Sequence, residues 1–237
     1  MNQVELFISL NAFLAQFPPI LWMSLSLLGT GWAVFALLFP SIILNPRLFY
    51  AVALTALIAG CFSRVIKVTV AAPRPPAILE PGSFYLLGDA LHANAMPSGH
   101  TITAFAAVAV LVATSSPARR FKFSLLFFLA VGAGLSRIAI GVHWVEDVVI
   151  GSIVGLLSGF LGARLAWKLP RTILDPRCFW LKLLSVWGLV CIYVLLTQRL
   201  DFEENQAFQW VLAGLAGATF LIFWYRAVGN RTAARVN

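Results

Sequence analysis

Charge is scarce in this sequence. Only 11% of its 237 residues are Asp, Glu, Lys or Arg, against about 25% in an ordinary soluble domain. With 60% hydrophobic residues and a mean hydropathy of +0.89, a fold in water could not hide its apolar surface, so lipid must cover much of it. Cysteine is scarce too. Cys61, Cys178 and Cys191 are three thiols in or beside apolar runs, which excludes a disulfide framework or a cysteine metal cluster and reads as small core residues. The first residues carry Glu5 and no basic stretch, unlike a cleavable signal peptide. No internal repeat and no soluble-domain composition is present. The net charge of +8 lacks the basic stripe interleaved with exposed aromatics that nucleic-acid binding requires, so no nucleic-acid partner is expected.

What the chain does have is long apolar runs. A membrane span takes roughly 17–25 apolar residues, and candidates run at 21–39, 48–66, 98–115, 123–140, 147–167, 179–197 and 207–225. Pro18-Pro19, Pro40, Pro46, Pro117, Pro170 and Pro176 fall between them, where helix breakers belong. Residues 4–17 place Leu6, Leu10, Phe13, Leu14 and Phe17 opposite Asn2, Gln3, Ser9, Asn11 and Gln16, the pattern of an interfacial amphipathic helix. The expected fold is therefore all-α: a polytopic transmembrane helix bundle of six to seven spans plus that N-terminal helix. It forms a single membrane-embedded domain over 1–237, and the residues leave its oligomeric state open.

Seven spans sort the 17 basic residues into two unequal sets. Arg47, Arg119, Arg120, Lys122, Arg164, Lys168, Arg171, Arg177, Lys182, Arg226, Arg231 and Arg235 fall on one side. Arg64, Lys67, Arg74, Arg137 and Arg199 fall on the other. The positive-inside rule puts the rich side in the cytoplasm. The poor side then holds all three histidines, with Glu146 and Asp147, at or just beyond span ends. Ionisable groups are costly near hydrocarbon and mark candidate sites.

Three segments carry them. In the first, Lys67 ends a span and Arg74 follows Pro73, so a point charge and a planar fork could share one phosphate. Basic residues snorkelling from a helix end would give the same pattern. In the second, Pro97-Ser98-Gly99-His100 opens a span. A helix N-terminus with a glycine binds anions, and Ser98 is either its cap or a phosphate donor. His100 in that first turn could donate a proton to a leaving oxygen. In the third, Ser136-Arg137 closes one span, and His143 and Asp147 share a helix face at the start of the next. A carboxylate on one imidazole nitrogen fixes the tautomer and makes the other a better nucleophile. Glu146 reads as a solvated charge and His92 as a loop histidine. The loop 75–96 could cover the site or guide acyl chains, and Gly151, Gly155 and Gly159 form a stripe for close helix approach.

Together these blocks resemble the type 2 phosphatidic acid phosphatase family, whose pattern K-x6-RP, PSGH, SR-x5-H-x3-D is matched in order and without substitution across about residues 48–167. The resemblance implies that His143 attacks phosphorus and becomes a phosphohistidine, with Asp147 orienting it. His100 would protonate the leaving oxygen and then activate water. Lys67, Arg74, Arg137, Ser98 and the Gly99 amide would hold the phosphate oxygens, with no metal or other cofactor. The implied substrate is a lipid phosphate or pyrophosphate in the bacterial inner membrane, reached from the periplasmic side, with undecaprenyl pyrophosphate or another envelope lipid ranked first by family habit. A phosphotransferase passing the phosphate to an acceptor such as lipid A would use the same half-reaction. A non-catalytic lipid-phosphate binding or transport protein would be expected to have lost one of His100, His143 and Asp147.

Overall fold

The computed structural model describes residues 2–233, with side chains through 228. Proline and capping residues punctuate the chain into helices. They are α1 (Gln3–Leu14), α2 (Pro19–Leu27), α3 (Gly31–Leu38), α4 (Ser41–Leu44), α5 (Pro46–Val70), α6 (Pro75–Ile78), α7 (Gly99–Thr114), α8 (Pro117–Ser124), α9 (Phe127–Ala139), α10 (Val145–Trp167), α11 (Phe179–Thr197) and α12 (Gln206–Ala233). The protein is all-helical, and five stretches among the described residues are long and apolar enough to span a membrane: 46–78, 117–139, 145–167, 171–197 and 203–228. Their outward faces carry Leu57, Val65, Phe128, Leu157, Trp187 and Leu221, all exposed. In water such a surface would aggregate; in a bilayer it is the correct one. This is a multi-pass membrane protein. Arg235 lies outside the described residues, and the side chain of Arg231 is not described.

Two of the expected spans differ from a simple rod. The run 21–39 is broken into α2 and α3 at residues 28–30, where Thr30 caps α3 by accepting from the Ala33 amide. The break lies against α7: a Cβ on Gly29 would stand 2.8 Å from the Cβ of His100. The other is α7 itself, whose 16 residues reach only about 24 Å at 1.5 Å per residue. Pro97 and the cap at Ser98 start it, and Pro97 and Ser98 are both buried.

The N-terminal helix forms, but with a different buried face from the expected one. Phe7, Asn11 and Leu14 point inward while Phe13 and Phe17 are exposed. Asn11 is buried because its side chain is fully engaged: Nδ2 donates to the carbonyls of Tyr85, Ile138 and Ala139, and Oδ1 accepts from the Tyr85 amide. A buried amide with its hydrogen bonds satisfied is tolerated, and here it ties α1 to the end of α9 and to the loop 79–98. Cys61 also departs from expectation. It is exposed on the outer side of α5, whose buried face is Phe49, Val52, Thr55 and Ala59, whereas Cys191 is in the core.

The centre of the bundle is α10 laid directly on α7 and α5. A Cβ on Gly151 would stand 2.9 Å from the Ser98 carbonyl oxygen, and one on Gly155 or Gly159 would stand 2.6 Å from those of Ile102 or Ala106. The glycine stripe therefore lets the α10 and α7 backbones touch, which fixes the start of α10 against the start of α7. At the opposite end, Arg47 Nη1 donates to the Trp167 carbonyl and the guanidinium lies 4.9 Å from the Trp167 ring centroid, closing α5 onto α10. Replacing Gly155 with alanine is expected to destabilise the fold by about 1–3 kcal/mol through overpacking. The thermal unfolding midpoint in detergent should drop for Gly155→Ala. It should hold for Gly214→Ala, where a new Cβ meets nothing within 4 Å.

Candidate active site

The three sequence blocks meet at one end of the bundle. That end takes the C-termini of α5, α9 and α11 and the N-termini of α7, α10 and α12, so the alternation of the helices brings the blocks together. Backbone bonds then sew them into one unit. Ser98 donates its amide to the Asp147 carbonyl, joining the second block to the third. Trp144 Nε1 donates to the Pro73 carbonyl at 2.9 Å, joining the third to the first. Within the third block the amides of Val142 and His143 both donate to the Arg137 carbonyl. That turn needs Gly141 at φ +85°, a backbone conformation other residues rarely adopt.

His143 is almost fully buried and has well-defined partners on both ring nitrogens. Nδ1 lies 3.1 Å from Asp147 Oδ2, and the same oxygen accepts the Trp144 amide at 2.8 Å. Nε2 lies 3.1 Å from Arg74 Nη1. A guanidinium can only donate, so these bonds assign the proton to Nδ1 and leave a lone pair on Nε2. Burial, then the positive charges of Arg74, Arg137 and Lys67, hold the His143 imidazole well below its ordinary pKa. It is neutral at physiological pH, the state a nucleophile requires.

Around that lone pair stand the cations. Arg74 Nε donates to the Ala93 carbonyl at 2.8 Å, Nη1 also reaches the Val142 carbonyl, and Nη2 lies 3.4 Å from the Asn94 carbonyl. Lys67 Nζ donates to the Asn94 carbonyl at 2.7 Å. The stretch 92–94 of the loop thus lies across these two cations. His92 contributes its carbonyl, which accepts the Arg74 amide, and its side chain is exposed. Arg137 is the buried cation: Nη1 donates to Ser26 Oγ at 2.6 Å and to Asp201 Oδ2 at 2.9 Å, and its Nε has no partner among the described residues.

The second block presents a helix start. Ser98 caps α7: its buried hydroxyl takes the Thr101 amide at 3.5 Å and the Thr101 hydroxyl at 2.9 Å. In this placement its hydroxyl is engaged in the cap, and the first-turn amides of a helix are free of partners within the helix. A Cβ on Gly99 would meet nothing within 4 Å. Glu146 is exposed and takes no part. Among the described residues no three His, Cys, Asp or Glu side chains gather as a metal-ligand set.

One residue in this cluster was not singled out from the sequence. Asp201, in the connection between α11 and α12, places Oδ2 2.8 Å from His100 Nε2. In the sequence only the alternation of spans puts Asp201 on the side of the histidines, and nothing in its neighbours marks it. Ser26, which donates to the same oxygen at 2.6 Å, was likewise hidden inside an apolar run.

Comparison with known proteins bears on the same segment. Over 96 residues the chain is 43% identical to a lipid A 1-phosphatase of Porphyromonas gingivalis, an alignment covering 40% of this chain and spanning only 21% of that relative's length. The crystal structure of Aquifex aeolicus LpxE superposes with a TM-score of 0.60 at 28% identity, over 68% of this chain and 94% of that one. A PAP2-type phosphatidylglycerolphosphate phosphatase from Bacillus subtilis gives 0.50 at 22% identity over 72% and 90%, which speaks for the fold alone. A family model described as the PAP2 superfamily matches residues 46–171, over half of the chain and the stretch whose three blocks converge here, and the chain therefore belongs to the PAP2 superfamily.

Proposed function

We propose that this membrane protein is a lipid phosphatase working through a phosphohistidine on His143. The observation that carries the reading is the state of that ring. Its Nδ1 is engaged by Asp147, and its Nε2 lone pair faces a cluster of three cationic side chains at the mouth of the bundle. Arg74, Lys67 and Arg137, with the Gly99 amide, would hold the phosphate oxygens. Positioning and charge stabilisation of that kind are most of what phosphoryl transfer needs.

The atoms balance as follows. Nε2 of His143 forms a bond to phosphorus while the bond from phosphorus to the lipid oxygen breaks, its electron pair leaving on that oxygen. The lipid oxygen takes a proton from His100. Water then gives a proton to His100 as its oxygen attacks phosphorus, and the N–P electron pair returns to Nε2. Inorganic phosphate departs. The cationic side chains supply the charge that a divalent metal supplies elsewhere.

The substrate is a phosphorylated envelope lipid. Phosphorylated lipid A ranks ahead of the undecaprenyl pyrophosphate expected from the sequence, because the 43% identical relative is named a lipid A 1-phosphatase. An apolar groove of about 420 Å³ lined by Ile20, Leu27, Leu28, Phe208 and Val211 passes beside Glu204 and Asn205 and suits acyl chains. The excess of basic residues remote from the site supports a periplasmic site on the inner membrane, by the positive-inside rule.

The test is phosphate release in detergent from a panel holding lipid A 1-phosphate, undecaprenyl pyrophosphate, phosphatidylglycerolphosphate and phosphatidic acid. At least one should be hydrolysed, and folded His143→Ala should lose more than about a thousand-fold in rate. Undiminished turnover in that variant defeats the mechanism. Turnover should persist in EDTA, and a strict requirement for added Mg²⁺ would count against the cationic cradle. Because His143 is held below the free imidazole value of about 6.5, the acid limb of the kcat/KM profile, set by protonation of that ring, should lie below pH 6.5.

A further inference from the structure

The connection between α11 and α12 is built to hold one carboxylate in place. Phe202 is buried among Trp22, Met23 and Ala95, with its ring edge where a Cβ on Gly88 would stand 2.9 Å away. Asn205 is buried and donates to the Met23 carbonyl at 2.9 Å. Just before these anchors Asp201 adopts φ +58°, a left-handed conformation that Asp tolerates better than most residues. Its side chain, about a quarter exposed, turns inward. A single oxygen, Oδ2, takes donors from three helices: Ser26 of α2 at 2.6 Å, His100 of α7 at 2.8 Å and Arg137 of α9 at 2.9 Å.

His100 has a particular need for that oxygen. A general acid must carry a proton when the leaving group departs, yet this imidazole is bonded beside Arg137 and lies in the field of Arg74. Cations on one side favour the neutral ring. Asp147 is committed to His143, and Asp201 is the carboxylate that bonds His100 among the described residues. An acceptor on Nε2 also fixes the ring, as Asp147 does for His143, and leaves Nδ1, which no described residue bonds, for the proton traffic. On the Cδ2 edge the ring is held by Gly29, where a Cβ would stand 3.1 Å from that carbon.

We propose that Asp201 is a positioning residue for the reaction, orienting His100 and offering its charge to the imidazolium as it forms, so that the ring can deliver a proton to the leaving lipid oxygen and recover one from water. This rests on the phosphatase reading above. No bond to Asp201 is made or broken; its carboxylate stays ionised, because the His100 bond, the neighbouring Arg137 and the Ser26 hydroxyl outweigh the upward push of burial.

The experiment compares wild type, Asp201→Asn, Asp201→Glu and His143→Ala as full-length proteins in detergent on lipid A 1-phosphate, with inhibition by inorganic phosphate measured alongside. Asp201→Asn should lose about 100-fold in kcat, the lower end for general-acid catalysis, with KM within twofold of wild type. Asp201→Glu, which keeps the charge, should recover at least a tenth of wild-type kcat. Unchanged or raised kcat in Asp201→Asn, with tighter inhibition by inorganic phosphate, would overturn the proposal and make Asp201 a resident competitor for the phosphate site. If Asp201→Asn does not fold, Asp201→Ser decides in its place: lowered kcat at retained KM supports the role, and full kcat overturns it. Loss of phosphate release in His143→Ala together with full kcat in Asp201→Asn overturns this inference alone. A wild type that hydrolyses nothing overturns the phosphatase reading and this inference with it.

Discussion

A cation held at the end of a membrane helix must have something negative or lone-pair-bearing to face, and that constraint shapes the whole site. Lys67, Arg74 and Arg137 come from two different spans and gather within each other's field. Each is answered differently. Lys67 and Arg74 rest on the carbonyls of Ala93 and Asn94, Arg74 also meets the lone pair of His143, and the buried Arg137 meets Asp201. Leaving the buried Arg137 unanswered would cost several kcal/mol. The same excess of positive charge is what the proposed phosphate site draws on.

The support for the two imidazoles differs in kind. His143 and Asp147 stand on a turn and the first residues of α10, whose glycines press it onto α7, so that pair is fixed by close backbone packing. His100 begins a rigid helix as well, but its carboxylate partner arrives on a connection held by Phe202 and Asn205. The His143 half of the site is thus built into the helix framework, and the His100 half is completed from a loop.

Much of this was legible in the sequence because helix ends are. Pro73, Pro97 and the caps mark where spans stop and start, the spacing of the blocks matches those ends, and the unequal division of Lys and Arg orders them by side. What escaped is what depends on contacts between distant segments. Asp201 reaches His100 across 101 residues only because Phe202 finds the bare backbone of Gly88. Asn11 was placed on a polar face because nothing local reveals that the carbonyls of Ile138 and Ala139 await it. The break at Gly29 follows from its contact with the His100 side chain, which no window of hydropathy contains.

Asn11, Ser26, Gly29, Asp201 and Phe202 all lie outside the stretch shared with the family model, yet each touches the framework of that stretch. The shared stretch is therefore not a portable cassette. Grafted between foreign flanks, it would carry every signature residue and still present a guanidinium without its counter-ion, an imidazole free to swivel, and exposed peptide groups where the Asn11 amide had docked. The signature names the chemistry; the flanks make it usable.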